Sequence, residues 1–103
     1  MTDIGFFSEM GLSAHQDESI KDYLVDSVDY DKTAVVRYMT SFKYFAGCPK
    51  YAIDCITGEE IAPSILIYKD DEYCWSNVLI YHIEKYNIKL PEKFIEKIMS
   101  KAV

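Results

Sequence analysis

Two rhythms of apolar residues run along this chain, one of helical period and one of strand period. Ile20, Tyr23, Leu24 and Val28 fall at helical spacing, and Asp17 and Glu18 stand where the positive end of a helix dipole favours acids. This pattern predicts a first helix from Asp17 that is broken at Asp29-Tyr30-Asp31. Asp31 is then an N-cap for a second segment in which Val35, Tyr38, Met39 and Phe42 share one face. The β-branched pair Val35-Val36 argues for a strand there, but the alternation that follows is ragged, so helix is the expectation. Ahead of these, residues 1–16 carry Ile4, Phe6, Phe7, Met10 and Leu12 without a sustained period and read as a docked arm or a short irregular turn of helix.

Strand-like patterning occupies the middle. Ala46-Gly47-Cys48-Pro49 predicts a turn, followed by a strand over Tyr51 to Ile56. Thr57-Gly58-Glu59-Glu60 supplies hairpin chemistry, with Gly58 free to take a positive φ, and the chain returns through Ile61 to Tyr68. Pro63 cannot donate a ladder hydrogen bond and so belongs at an edge, a bulge or a strand start. After a polar reversal at Lys69-Asp70-Asp71-Glu72, Tyr73-Cys74-Trp75 is a short extended segment. Ser76 caps a helix over Asn77 to Tyr86 with Leu79, Ile80 and Ile83 on its core face, His82 at the boundary and Asn87 as C-cap. Pro91 opens a last helix striped by Phe94, Ile95, Ile98 and Met99, with Lys97 and Lys101 near its end. With no repeat or linker, residues 1–103 are expected to form one α+β domain. About three short antiparallel strands would pack with N-terminal and C-terminal helices.

Charge narrows the function classes. Seventeen acids against eleven bases leave a net charge of −6, a field unfavourable to nucleic-acid phosphates and anionic lipid but suited to a basic protein partner. The three cysteines, Cys48, Cys55 and Cys74, are an odd number without CxxC spacing, so reduced thiols are expected. The N-terminus carries Asp3 where an export signal needs bases, and no apolar run could span a bilayer. A cytoplasmic location is therefore expected. Nine Tyr are unusual at this length, and most are expected at the boundary of the core.

Candidate chemistry is sparse. His15 and His82 are too far apart in sequence to form a paired metal motif, and no phosphate-binding or nucleophile-elbow motif is present, so no metal or cofactor is expected. Cys74 beside Trp75 is the best thiol candidate, but Asp70, Asp71 and Glu72 would push its pKa upward, against activation. The acids Asp17/Glu18, Asp29/Asp31, Glu59/Glu60 and Asp70/Asp71/Glu72 fall in turns and helix starts, where water keeps them ionised.

A loose pattern in the second half carries a resemblance. Asp54 leads into Thr57-Gly58-Glu59, Glu72 into Tyr73-Cys74-Trp75-Ser76, and Glu84-Lys85-Tyr86 is followed by Leu90-Pro91-Glu92-Lys93-Phe94. Over roughly residues 46–99 this resembles small bacterial immunity proteins encoded beside polymorphic or contact-dependent growth-inhibition toxins. The resemblance implies a cytoplasmic protein that binds one cognate toxin C-terminal domain, often a nuclease, and blocks it. Gly58, Trp75 and Pro91 are expected to hold the fold, not to choose the partner.

From the charge pattern, the toxin-binding surface is expected to draw on Asp22, Asp26 and Asp29 of the first helix, and on the Glu59/Glu60 and Asp70/Asp71/Glu72 turns. Two other readings are carried beside it. One is a small enzyme or ligand-binding domain with a site around Cys74, His82 and Glu84. The other is a homodimeric adaptor.

Overall fold

Residues 1–12 and 18–101 are described by a computed structural model. His15 and Asp17 lie outside the described residues. The chain is α+β, with six strands, β1 (Thr2–Asp3), β2 (Ala46–Cys48), β3 (Ala52–Ile53), β4 (Glu60–Ala62), β5 (Ile65–Lys69) and β6 (Tyr73–Ser76), among the described residues. Three α-helices accompany them: α1 (Lys32–Thr40), α2 (Asn77–Lys85) and α3 (Glu92–Lys101). A four-stranded sheet has the order β1-β6-β5-β2, and β3 pairs with β4 in a separate two-stranded ladder. Pairing is antiparallel throughout except for β1, which runs parallel to β6.

The helices form where capping chemistry and an apolar stripe coincide. Asp31 accepts a hydrogen bond from the Ala34 N–H at 3.2 Å, and Ser76 accepts one from the Leu79 N–H at 3.4 Å, each satisfying a donor that the first turn leaves free. The competing strand, which would have begun at Val35-Val36, does not form. Central β6 is buried at all four residues, because β1 and β5 flank it. Tyr73 and Trp75, two residues apart on it, meet rings from α3 and from the segment just after α1: Trp75 lies 5.7 Å from both Phe42 and Phe94, and Tyr73 lies 4.9 Å from Phe94. Gly5 lets the N-terminal arm lie against α2. Its φ is +70°, and a Cβ there would come within 2.5 Å of Leu79.

Several expectations are corrected. The helix predicted over residues 17–28 is a single 3-10 turn, Ile20–Asp22, followed by an extended strap. The side chain of Glu9 takes up the Ile20 N–H at 2.9 Å, and the strap pairs its main chain with the segment after α2. Leu24 bridges Ile88, the Val25 N–H donates to the Asn87 carbonyl at 3.0 Å, and the Lys89 N–H donates to the Tyr23 carbonyl at 2.8 Å. Pairing with a distant segment has outweighed a helical pattern rich in Asp and Ser, residues weak in helix interiors.

The turn predicted at Ala46 to Pro49 is strand β2, because these small residues lie flat as an edge against β5, with Gly47 opposite Leu66. The returning strand over 61–68 is two strands in two different ladders, divided at Pro63-Ser64. The strand over 51–56 stops at Ile53, where Asp54 folds the chain back. The four-stranded sheet therefore contains two strands the pattern did not predict, β2 and, from the N-terminal arm, β1, while the expected strand over 51–56 contributes only to the separate ladder. Helix α2 ends at Lys85 with Tyr86 in extended conformation, so Asn87 is not its cap, and the Asn87 amide reaches across to the Asp26 carbonyl at 2.8 Å.

Candidate functional site

Asp54 is an acid to which the sequence assigned nothing beyond its place ahead of the Thr57-Gly58-Glu59 turn. It is fully buried, and its side chain organises the β3–β4 hairpin. Oδ1 accepts the Ile56 N–H at 2.8 Å and the Thr57 N–H at 3.1 Å, which closes the turn that Gly58 completes at a φ of +80°. Oδ2 accepts the hydroxyls of Tyr81 and Tyr86, each at 2.8 Å, and the Lys85 ammonium at 3.3 Å. Burial alone would raise this carboxyl's pKa, but the hydrogen bonds from Ile56, Thr57, Tyr86 and Tyr81 outweigh it and hold it well below the ordinary carboxylate range.

His82 lies in the same network and is fully buried, not at the boundary. Its Nε2 accepts the Cys55 N–H at 2.9 Å, so Nδ1 carries the proton and donates it to the Val78 carbonyl at 2.7 Å. Burial lowers the imidazole pKa. Both ring nitrogens are committed to main chain, leaving neither a lone pair nor a proton for a substrate.

The residues of the catalytic reading are not brought into one constellation. Cys74 is buried where β6 meets β1, and burial raises its thiol pKa, with Asp3 adding to the shift. Glu84 is exposed and lines a groove with Lys32 and Arg37 of α1. Cys55 is half-buried and its thiol is pushed up to about 12, by burial first and then by Glu9 and Asp54. No group of three or more metal-ligating side chains occurs among the described residues.

The expected partner-binding acids divide into two kinds. Asp70 belongs to the structure: its side chain is 2% exposed, Oδ1 accepts the N–H groups of Glu72 and Tyr73, and Oδ2 accepts the Tyr38 hydroxyl. That corrects the expectation of a solvated acid. Lys97 of α3 stands among the three carboxylates of this turn, 3.3 Å from Asp70, 3.0 Å from Glu72 and in contact with Asp71. Burial would depress its pKa, yet hydrogen bonds to Asp71, Glu72 and Asp70 raise it. The turn therefore offers a partner much less charge than three acids suggest.

Asp22, Asp26, Asp29, Glu59 and Glu60 are different. All five are exposed, and none of their carboxylates makes a hydrogen bond or ion pair among the described residues. Asp22 closes the 3-10 turn that leads into the strap, Asp26 and Asp29 ride on the strap itself, and Glu59 and Glu60 on the β3–β4 hairpin. Both carriers are fixed to one stretch of chain. Tyr81, Lys85 and Tyr86 hold the hairpin through Asp54, while Asn87, Ile88 and Lys89 hold the strap.

Sequence reasoning missed the groove between the strap and α3, which is lined by Val25, Val28, Asp29, Ile95 and Glu96 among others and has a volume of about 510 Å³. Its walls are two segments far apart in sequence. The only signal along the chain was the mixture of apolar and acidic residues in each. Comparison with protein-family models, curated proteins and solved structures finds no match for this chain.

Proposed function

We propose that this protein is an immunity protein that binds a basic toxin domain, a nuclease by preference, and neutralises it by stoichiometric blocking. The observation that carries the reading is the set of carboxylates on the strap and hairpin without internal partners, since unpaired surface acids project a field toward a cationic partner. A nuclease domain is basic because it must hold phosphate, and an acidic protein competes for the same field. The resemblance of residues 46–99 to immunity proteins supports the same partner class. A complex of standard size needs about 800 Å² from each side. The protein exposes 6212 Å², so that is roughly an eighth of its surface. Such a protein acts in the cytoplasm, where an incoming toxin meets its substrate.

The test is co-expression with each gene that neighbours this one, followed by titration calorimetry of the purified pair wherever the neighbour kills cells on its own. Cell survival and a one-to-one complex at low micromolar concentration or tighter are expected. Continued killing, or no heat of binding, overturns the proposal.

A further inference from the structure

The groove between the strap and α3 has the anatomy of a protein-binding hot spot. Val25, 39% exposed, and Val28 form one wall, Ile95 of α3 forms the other, and the buried side chain of Leu90 lies at the base. Asp29, Glu92 and Glu96 stand on its rim against a single base, Lys89. None of the three carboxylates is hydrogen-bonded or ion-paired among the described residues. Glu92 and Glu96 stand one turn apart on α3, so their charges add on the same side of the groove.

The walls are held in place. Main-chain bonds from Val25 to Asn87 and from Lys89 to Tyr23 fix the strap, and the Tyr30 hydroxyl donates to the Ile88 carbonyl at 2.5 Å. A preformed apolar slot loses little entropy on binding, and its volume lies within the roughly 300–1,000 Å³ of ligand clefts.

We propose that this groove seats an apolar side chain of the basic partner, with lysine or arginine residues beside that anchor paired to Asp29, Glu92 and Glu96. The inference rests on the partner class proposed above and names the place where the partner docks. Charge complementarity selects the occupant: an apolar anchor alone would leave three rim carboxylates partly desolvated and unpaired, whereas a cationic segment without an anchor would leave Val25, Val28 and Ile95 wet.

The test titrates ¹⁵N-labelled protein with a short peptide of alternating lysine and leucine, and separately with octalysine. The mixed peptide is expected to shift the amides of Val25, Val28, Ile95 and Glu96 saturably, at least tenfold more tightly than octalysine. Glu92→Lys with Glu96→Lys should weaken that binding at least tenfold, and so should Asp29→Lys, an exposed change on the strap that leaves α3 untouched. Glu59→Lys with Glu60→Lys should not. Shifts centred on the hairpin, or equal affinity for the two peptides, overturn the inference. The same variants separate it from the immunity reading. If the adjacent-gene toxin is neutralised and binds the Asp29 and Glu92/Glu96 variants at wild-type affinity, the groove assignment fails and the immunity reading stands. If the mixed peptide seats in the groove while that toxin does not bind, the groove stands and the immunity reading fails.

Discussion

Asp54 and His82 join the β3–β4 hairpin to α2 through buried polar contacts, and both are held in the ionisation state that the fold uses. For His82 the folded pKa lies below the ordinary value of 6.5, so as pH falls through that value the unfolded chain takes a proton that the folded chain refuses. Its contribution to stability is complete above about pH 6.5 and is lost below it. Asp54 has the same sign at lower pH, because its depressed pKa gives stability present above about pH 4 and lost on further acidification. In a His15→Gln background, urea unfolding should show stability declining from pH 6.5 to 5, by no more than about 1.4 kcal/mol per pH unit for one proton. His82→Gln should flatten that decline. An unchanged slope in the double variant would place the titrating group elsewhere. Asp54→Ala should cost about 3 kcal/mol at pH 7, since it strands two main-chain N–H groups and two tyrosine hydroxyls at a buried site. Calorimetric melting of the variant measures this loss. At the residue scale none of it was legible, because Asp54 resembles any turn aspartate until α2, which carries Tyr81, and Tyr86 just beyond its end are placed beside it.

The three helices were legible at the scale of elements because each announces itself locally. Asp31 and Ser76 cap α1 and α2, Pro91 precedes α3, and each stripe has the helical period. The strap was not legible, since its apolar spacing mimics a helix and the segment that overrides it lies some sixty residues away, around Ile88. Strand β2 hid for a related reason: turn-forming residues become an edge strand only when β5 is beside them. The β5–β6 turn depends on another element in the same manner. Lys97 reaches it from α3 and offsets the mutual repulsion of Asp70, Asp71 and Glu72. Lys97→Met should destabilise the protein by about 1 kcal/mol at low salt, a modest figure because two of its three partners, Asp71 and Glu72, face solvent. The loss should shrink in 0.5 M salt as the remaining carboxylates are screened. Chemical denaturation at the two salt concentrations checks both statements, and a loss that does not depend on salt would assign Lys97 a packing role instead.

Taken over the whole molecule, the net charge of −6 matters less than where it is unopposed. Internal pairing has withdrawn much of the β5–β6 turn from the field, leaving the strap, the hairpin and the exposed glutamates of α3 among its free sources. The acidic balance was visible in the sequence, but the division between used and unused carboxylates was not, because Lys97 and Tyr38 lie 26 and 32 residues from the acids they engage. Steering by unpaired charge acts on encounter before any contact forms, and it falls steeply once the Debye length drops below the separation of the charges. Reversing Asp22 and Asp26 to Lys should therefore slow association with a basic toxin domain about tenfold at low ionic strength and flatten its salt dependence, with dissociation little changed. Reversing Asp71 and Glu72 should have a smaller effect, since Lys97 already opposes them, and Asp70 must be left intact because the turn is built on it. Stopped-flow association measured across a salt series separates the two pairs. A larger effect at Asp71 and Glu72 would move the centre of the steering field to the β5–β6 turn, and the docking face with it.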